Sequence, residues 1–168
     1  MTRPHVTILG MPGSGKSTLA ECLAERAGLP HRDGDAALVA RRGASAATVT
    51  ADAGVDALWE LERSIARELL TDDEPAIVTP AASILDDADS LVLVRRRSWL
   101  VAVLDADTAL LVSRRARSDD RRPMSSDELE ARWASRRPAA IAVADVVLDA
   151  SLSVDELADR VVATIRAC

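Results

Sequence analysis

Apolar residues along this 168-residue chain fall into short continuous runs, separated by longer stretches in which they recur every three or four positions. The runs Val6-Thr7-Ile8-Leu9, Pro75–Thr79, Trp99–Leu104 and Asp145–Leu148 read as strands, short and apolar enough to be buried on both faces. A further short strand follows the break at Gly28-Leu29-Pro30 and leads into Arg32-Asp33-Gly34-Asp35. Helical spacing covers Leu19–Ala27, Ala36–Arg42 closed by Gly43, and about Asp52–Leu70. In the last of these, Val55, Leu58, Trp59, Ile65, Ala66 and Leu69 make one apolar face, with Glu62 inside the stripe. Residues 44–51 are small and polar and read as loop. Ser83–Arg97 is ambiguous, since Leu91-Val92-Leu93-Val94 suits strand or helix; helix is favoured because Trp99–Leu104 is the better strand and a crossover must precede it. Asp107–Arg117, Ser126 to about Arg136, and a closing helix to Ala167 capped by Ser153 complete the set, with a polar, Pro-containing loop over 118–125. Strands alternating with helices predict an α/β fold, a three-layer parallel sheet flanked by helices, in a single domain over 1–168.

The formal net charge of −6 argues against a nucleic-acid binder. No apolar run approaches the length of a membrane span, and the N-terminal segment passes too early into a glycine-rich loop to hold a cleavable signal. A cytoplasmic protein with no membrane partner is expected, and nothing in the chain demands more than a monomer. Cys22 and Cys168 form no metal-ligand pattern and read as plain thiols. Phe and Tyr are absent, so stacking on a ring falls to Trp59, Trp99, Trp133, histidine or arginine. His5 and His31 are isolated and read as structural.

The candidate chemistry begins at Gly10-Met11-Pro12-Gly13-Ser14-Gly15-Lys16-Ser17-Thr18, between the first strand and the first helix. Its Gly-x-x-x-x-Gly-Lys-Ser pattern arises by chance in roughly one chain in two hundred, and strand–loop–helix is the context in which it cradles phosphates. Glycines let successive backbone N–H groups turn inward, and the helix adds its positive dipole end. Met11 to Thr18 are therefore the expected nucleotide-binding residues. Lys16 would serve the β and γ phosphates, and the Ser17 hydroxyl a magnesium ion. Asp33 and Asp35, two carboxylates at a strand end, are candidates for the same site, against the plainer reading of a helix cap and a turn residue.

From Lys16 to Ser83 the chain resembles the shikimate kinases, small ATP-dependent P-loop kinases of the nucleoside-monophosphate-kinase-like group, and the resemblance extends over nearly its whole length. It implies that Asp33 holds magnesium through water and that Asp35 orients the acceptor hydroxyl or takes its proton. It implies a lid over about 117–128 carrying Arg122 in an Arg-Pro pair, an adenine-side arginine at Arg115, and a substrate-carboxylate arginine at Arg136. The catalytic set is then Lys16, Asp35 and Arg122, with Ser17 and Asp33 at the metal, and ATP and Mg2+ as cofactors. The acceptor-binding region is the helical stretch of about 36–70.

The acceptor side departs from the family pattern. Trp59 stands where the family has an arginine that grips the shikimate carboxylate; Pro80-Ala81-Ala82 replaces Gly-Gly-Gly; Thr50 replaces a pocket aromatic. Helix periodicity alone reads Trp59 as core filler. Glu62, whose family equivalent pairs with the missing arginine, needs another partner, with Arg136 or Arg63 the natural candidates. The acceptor set is Asp35, Trp59, Glu62, Ala81, Ala82 and Arg136. The expectation is an ATP-dependent phosphotransferase acting on a hydroxyl of a small polar acceptor, shikimate first. The alternatives are another polyol, sugar acid or cyclitol, or a nucleotide-binding protein that has lost phosphotransfer.

Overall fold

A computed structural model describes residues 3–115 and 124–167. The described chain runs β1 (His5–Gly10), α1 (Lys16–Ala27), β2 (His31–Asp33), α2 (Gly34–Arg42), α3 (Ala46–Ala53), α4 (Val55–Thr71) and β3 (Ile77–Thr79). A short 3-10 helix, Ala82–Asp86, then leads to α5 (Ala88–Arg97), β4 (Ser98–Asp105), α6 (Thr108–Arg115), α7 (Ser126–Val143), β5 (Val146–Asp149) and α8 (Val154–Ala167). The strands pair in parallel in the order β2-β3-β1-β4-β5, with helices covering the sheet. Parallel neighbours require a crossover between them, which explains why Ser83–Arg97 is helical ahead of β4. Every residue of β1 is buried, and its polar side chains find partners within the fold: Thr7 Oγ1 and Ser98 Oγ share a 2.7 Å hydrogen bond, and His5 Nε2 meets the Asp72 carbonyl at 3.0 Å, while His5 Nδ1 is buried without a hydrogen-bond partner among the described residues.

Three expectations are corrected. Residues 46–53 form α3 and not a loop, because Ser45 accepts the Thr48 N–H and caps a run of small helix-compatible residues. The single helix expected over 52–70 is thereby two, divided at Gly54, whose φ of +85° no other residue type adopts cheaply. The helix expected to stop near Arg136 continues through Pro138 to Val143. Proline removes one helical hydrogen bond there. Side chains on either side pin the helix regardless: Trp133 Nε1 donates to Asp105 at 3.1 Å, Arg137 pairs with the same carboxylate at 2.6 Å, and Ala140 is fully buried. Of the expected lid, 117–123 lie outside the described residues, and 124–128 lead into α7.

The principal core lies between sheet and helices. A second, smaller apolar cluster, Leu38, Val49, Leu58 and Ile65, joins α2, α3 and α4 to one side of it. Arg97 locks this appendage to the sheet. Only 5% exposed, it donates Nε–H to Leu70 O at 2.8 Å and Nη2–H to Asp72 O at 2.7 Å, and pairs with Asp73 at 2.6 Å. These acceptors include carbonyls at the C-terminal end of α4, which a buried helix end otherwise leaves orphaned. Arg97→Met is expected to lower unfolding free energy by about 3 kcal/mol, and Tm by roughly 6–12 °C, by denaturant titration and calorimetry. A loss below about 1 kcal/mol would mean that water serves those carbonyls equally well.

Candidate active site

The C-terminal ends of β1 to β4 open onto one edge of the sheet, where chain connections depart in opposite directions from β1. That switch point is where an α/β sheet leaves a crevice. The loop after β1 carries Gly13 and Gly15 at φ +94° and +97°, and the Ser14 N–H bonds Met11 O at 3.1 Å. Gly15 caps α1 with no side chain over the helix start, so the N–H end of α1 faces the loop bare. Lys16 Nζ reaches back to Met11 O at 3.3 Å, holding the ammonium across the loop. Met11 itself is buried, with its sulfur 3.9 Å from Arg136 Nη1, and Thr18 is exposed.

Sequence reasoning missed the brace behind this loop. Arg114 of α6 donates to Ser14 O and, through its other terminal nitrogen, to Ala150 O after β5, both at 3.0 Å. The arginine-dense end of α6 signalled a role, and the expectation fell on the adjacent Arg115. The side chain of Arg115 and the whole of Arg122 lie outside what the structure describes.

Asp33 serves two masters. As the last residue of β2 it accepts the Asp35 and Ala36 N–H groups on Oδ1, at 2.7 and 3.3 Å, and so caps α2. Its Oδ2 accepts the Ser17 hydroxyl at 2.7 Å. The cap reading and the site reading therefore both hold geometrically. Ser17 and Asp33 put two hard oxygen donors together beside the phosphate loop, a set that suits Mg2+, which takes one or two protein oxygens and completes its shell with phosphate and water. Between the carboxylates, Gly34 packs so closely on the next strand end that a Cβ there would lie 3.1 Å from Ala81 N and 3.2 Å from Thr79 O. That approach brings Asp35, in the first turn of α2, opposite the segment after β3.

Beyond the loop lies a cavity of about 540 Å³. Lys16, Asp35, Trp59, Glu62, Ala81, Ala82 and Arg136, all named from the sequence, line it together. Thr50 does not; its hydroxyl bonds Ala46 O within α3. The partners expected for Glu62 are otherwise engaged. Arg136, 4% exposed, forks onto Asp86 with Nε 2.9 and 3.0 Å from the two carboxylate oxygens, and Arg63 pairs with Glu60 at 2.9 Å. Burial pushes the Glu62 carboxyl above its ordinary value, tempered by the Ser83 hydroxyl; nearby Asp35 adds to the rise, while Arg136 and Lys16 oppose it. A second residue escaped the sequence reading: Arg132 lines the cavity from α7 with its guanidinium over the Trp59 ring, 4.6 Å from the centroid. Its position one helical turn before Arg136 was legible, but which ring faces it was not.

Comparison with known proteins bears on this arrangement. A family model described as Shikimate kinase matches residues 12–166. The shikimate kinase of Salinibacter ruber is 32% identical, over 97% of this chain and 85% of its own length. Among solved structures, shikimate kinase from Acinetobacter baumannii in complex with shikimate superposes with a TM-score of 0.91 at 20% identity, covering 99% of this chain and 94% of that one. A gluconokinase from Sinorhizobium meliloti 1021 follows the same fold less closely, with a TM-score of 0.65 at 21% identity over 99% and 94% of the two chains.

The raised Glu62 carboxyl has a measurable signature. Folded protein keeps that proton to higher pH than the unfolded chain, whose value is about 4.5. Its contribution to stability is thus full below that value and is lost as pH rises through the folded-state value. Glu62→Gln cannot ionise and escapes the loss. Its Tm is expected to gain on the wild type as pH rises above about 4.5, read by calorimetry in matched buffers. Parallel curves across that range would show that Glu62 ionises as freely as a surface carboxylate.

Proposed function

The chain belongs to the shikimate kinase family, and from that premise we propose that the cavity seats a small polyhydroxy acceptor, shikimate the first candidate, for phosphorylation at the expense of ATP. The protein is an ATP-dependent phosphotransferase of shikimate kinase type, acting on an alcohol group. The observation that carries the site assignment is that Lys16 of the phosphate loop and Asp35 of α2 line one cavity.

In this reading the bare N-terminus of α1 and the loop N–H groups hold the β and γ phosphates, and Lys16 follows the γ-phosphoryl as charge develops on it. Ser17 and Asp33 would hold Mg2+, which when bound draws negative charge off the phosphate oxygens. Asp35 aligns the acceptor hydroxyl and takes its proton. The acceptor oxygen bonds to the γ-phosphorus, the bond to the β–γ bridging oxygen breaks, and ADP departs. Arg122 and Arg115 keep the lid and adenine-side roles that the resemblance implies. Catalysis of this kind is mainly positioning and electrostatics, so the chemistry asks for few reactive groups. A monomeric, cytoplasmic enzyme is part of the same proposal; among the described residues no helix is long and apolar enough to cross a membrane.

The Arg136–Asp86 pair favours a second reading. An arginine already forked onto a carboxylate has less to offer an acidic acceptor, so an uncharged polyol or cyclitol is the alternative.

Acceptor-dependent ADP release, in a coupled assay with shikimate and a panel of polyols, tests the reading. Lys16→Ala is expected to lower kcat/KM by about 10³ or more, and Asp35→Asn to lower kcat by roughly 10² to 10⁴. Folded, ATP-binding protein that releases no ADP with any acceptor would overturn phosphotransfer in favour of a nucleotide-binding role without turnover.

A further inference from the structure

The three arginines near the acceptor end of the cavity differ in what they have left to give. Arg136 is spent on Asp86 through Nε and Nη2. Arg63 is spent on Glu60 and does not line the cavity. Arg132 is held differently. Its Nε–H donates to Glu128 Oε1 at 2.9 Å, one helical turn back on α7, and its guanidinium carbon lies over the Trp59 ring, 4.6 Å from the centroid. Nη1 and Nη2 of Arg132 make no hydrogen bond among the described residues.

Those two restraints hold the guanidinium in place before any ligand arrives. A planar fork held by Nε and by a ring, with two terminal nitrogens to spare, suits a planar anion taken in a bidentate fashion, and lining a cavity strengthens the contact by excluding part of the water. Trp59 is therefore more than core filler: its ring carries onto the α4 wall a positive charge that originates on α7. The remaining wall has two characters. Leu38 and Leu58 offer an apolar surface for a carbon skeleton, and Asp35 and Glu62 are carboxyls suited to hydroxyl groups.

We propose that Arg132, seated on the Trp59 ring, is the specificity-determining residue of the acceptor cavity, where it holds the carboxylate of a small hydroxylated acid. This rests on the cavity being the acceptor site, and it chooses the acid over the uncharged alternative. The side chain at position 59 and the charge that serves it come from different helices, so the pair works only while α4 and α7 stay in register across the cavity.

Equilibrium binding separates the proposal from turnover. Shikimate and quinate, each beside its uncharged methyl ester, are titrated calorimetrically into wild-type protein, Arg132→Leu, Arg132→Lys and Trp59→Leu. Wild-type protein is expected to favour acid over ester by about tenfold or more. Arg132→Leu erases the preference, Arg132→Lys retains a reduced one because a point charge replaces a fork, and Trp59→Leu weakens it several-fold. ATP affinity within about twofold of wild type certifies each variant as folded; a general structural defect would weaken acid and ester alike. Equal affinity of the wild type for acid and ester, no binding of either, or a preference that survives Arg132→Leu overturns the proposal. If Arg132→Leu does not fold, the Lys and Trp59 variants decide by the same ratio. Acid binding with no ADP release in the coupled assay leaves Arg132 assigned and sinks phosphotransfer; ADP release with uncharged polyols alone does the reverse.

Discussion

One carboxylate ties the two halves of the site together. Asp33 accepts the first N–H groups of α2 on one oxygen and the Ser17 hydroxyl of α1 on the other. The phosphate loop ends where α1 begins, and Asp35, the proposed acceptor carboxyl, lies in the first turn of α2. Any displacement of Asp33 therefore moves the start of α1 and the start of α2 with respect to each other. Its own position is set by pairing of β2 with β3, which places Asp33 opposite Thr79, and by Gly34 lying against the backbone of 79–81. Phosphoryl transfer is sensitive to such distances, since its catalysis consists chiefly of holding two reactants in line.

The remainder of the molecule keeps those elements still with an unusual choice of residues. No Phe or Tyr is present. Aliphatic side chains fill the space around the sheet, and arginines make the long-range ties: Arg97 from β4's entry to the end of α4, Arg114 from α6 to the phosphate loop, Arg136 and Arg137 from α7 to Asp86 and Asp105. Burying a guanidinium is costly unless its donors are met. Here backbone carbonyls meet Arg97 and Arg114, which thereby serve groups at helix and loop ends, and the carboxylates of Asp86 and Asp105 meet Arg136 and Arg137.

At the acceptor end the same economy sorts the charges. Arg136 answers Asp86, Arg63 answers Glu60, and burial raises the Glu62 carboxyl above its ordinary value. Arg132 keeps its terminal nitrogens, with its guanidinium over the Trp59 ring. Where the resemblance implies an arginine on the long helix, this chain has Trp59, with the Arg132 guanidinium over its ring.

The parts of this protein that were legible in its sequence are those set by neighbours along the chain. The phosphate loop, the strand before it, the helix after it and the Asp33-Gly34-Asp35 strand end obey periodicity and turn chemistry acting over a few residues. The parallel, helix-covered sheet follows from the alternation of such segments. Even at this range two signals were misread: Ser45 capping α3 was overlooked beside a small, polar run, and Pro138 was taken as a helix end although contacts distant in sequence hold α7 through it. What only the tertiary structure decided is which groups meet. Arg114 under the loop, Asp86 against Arg136 and Arg132 over Trp59 join residues 36, 50 and 73 positions apart or more in sequence. No local pattern encodes such a meeting, because it is fixed by the order of strands in the sheet and the crossing of helices over it. The loop and strand end were accordingly readable residue by residue, and the pairing of Arg132 with Trp59 became readable only once α4 and α7 faced each other.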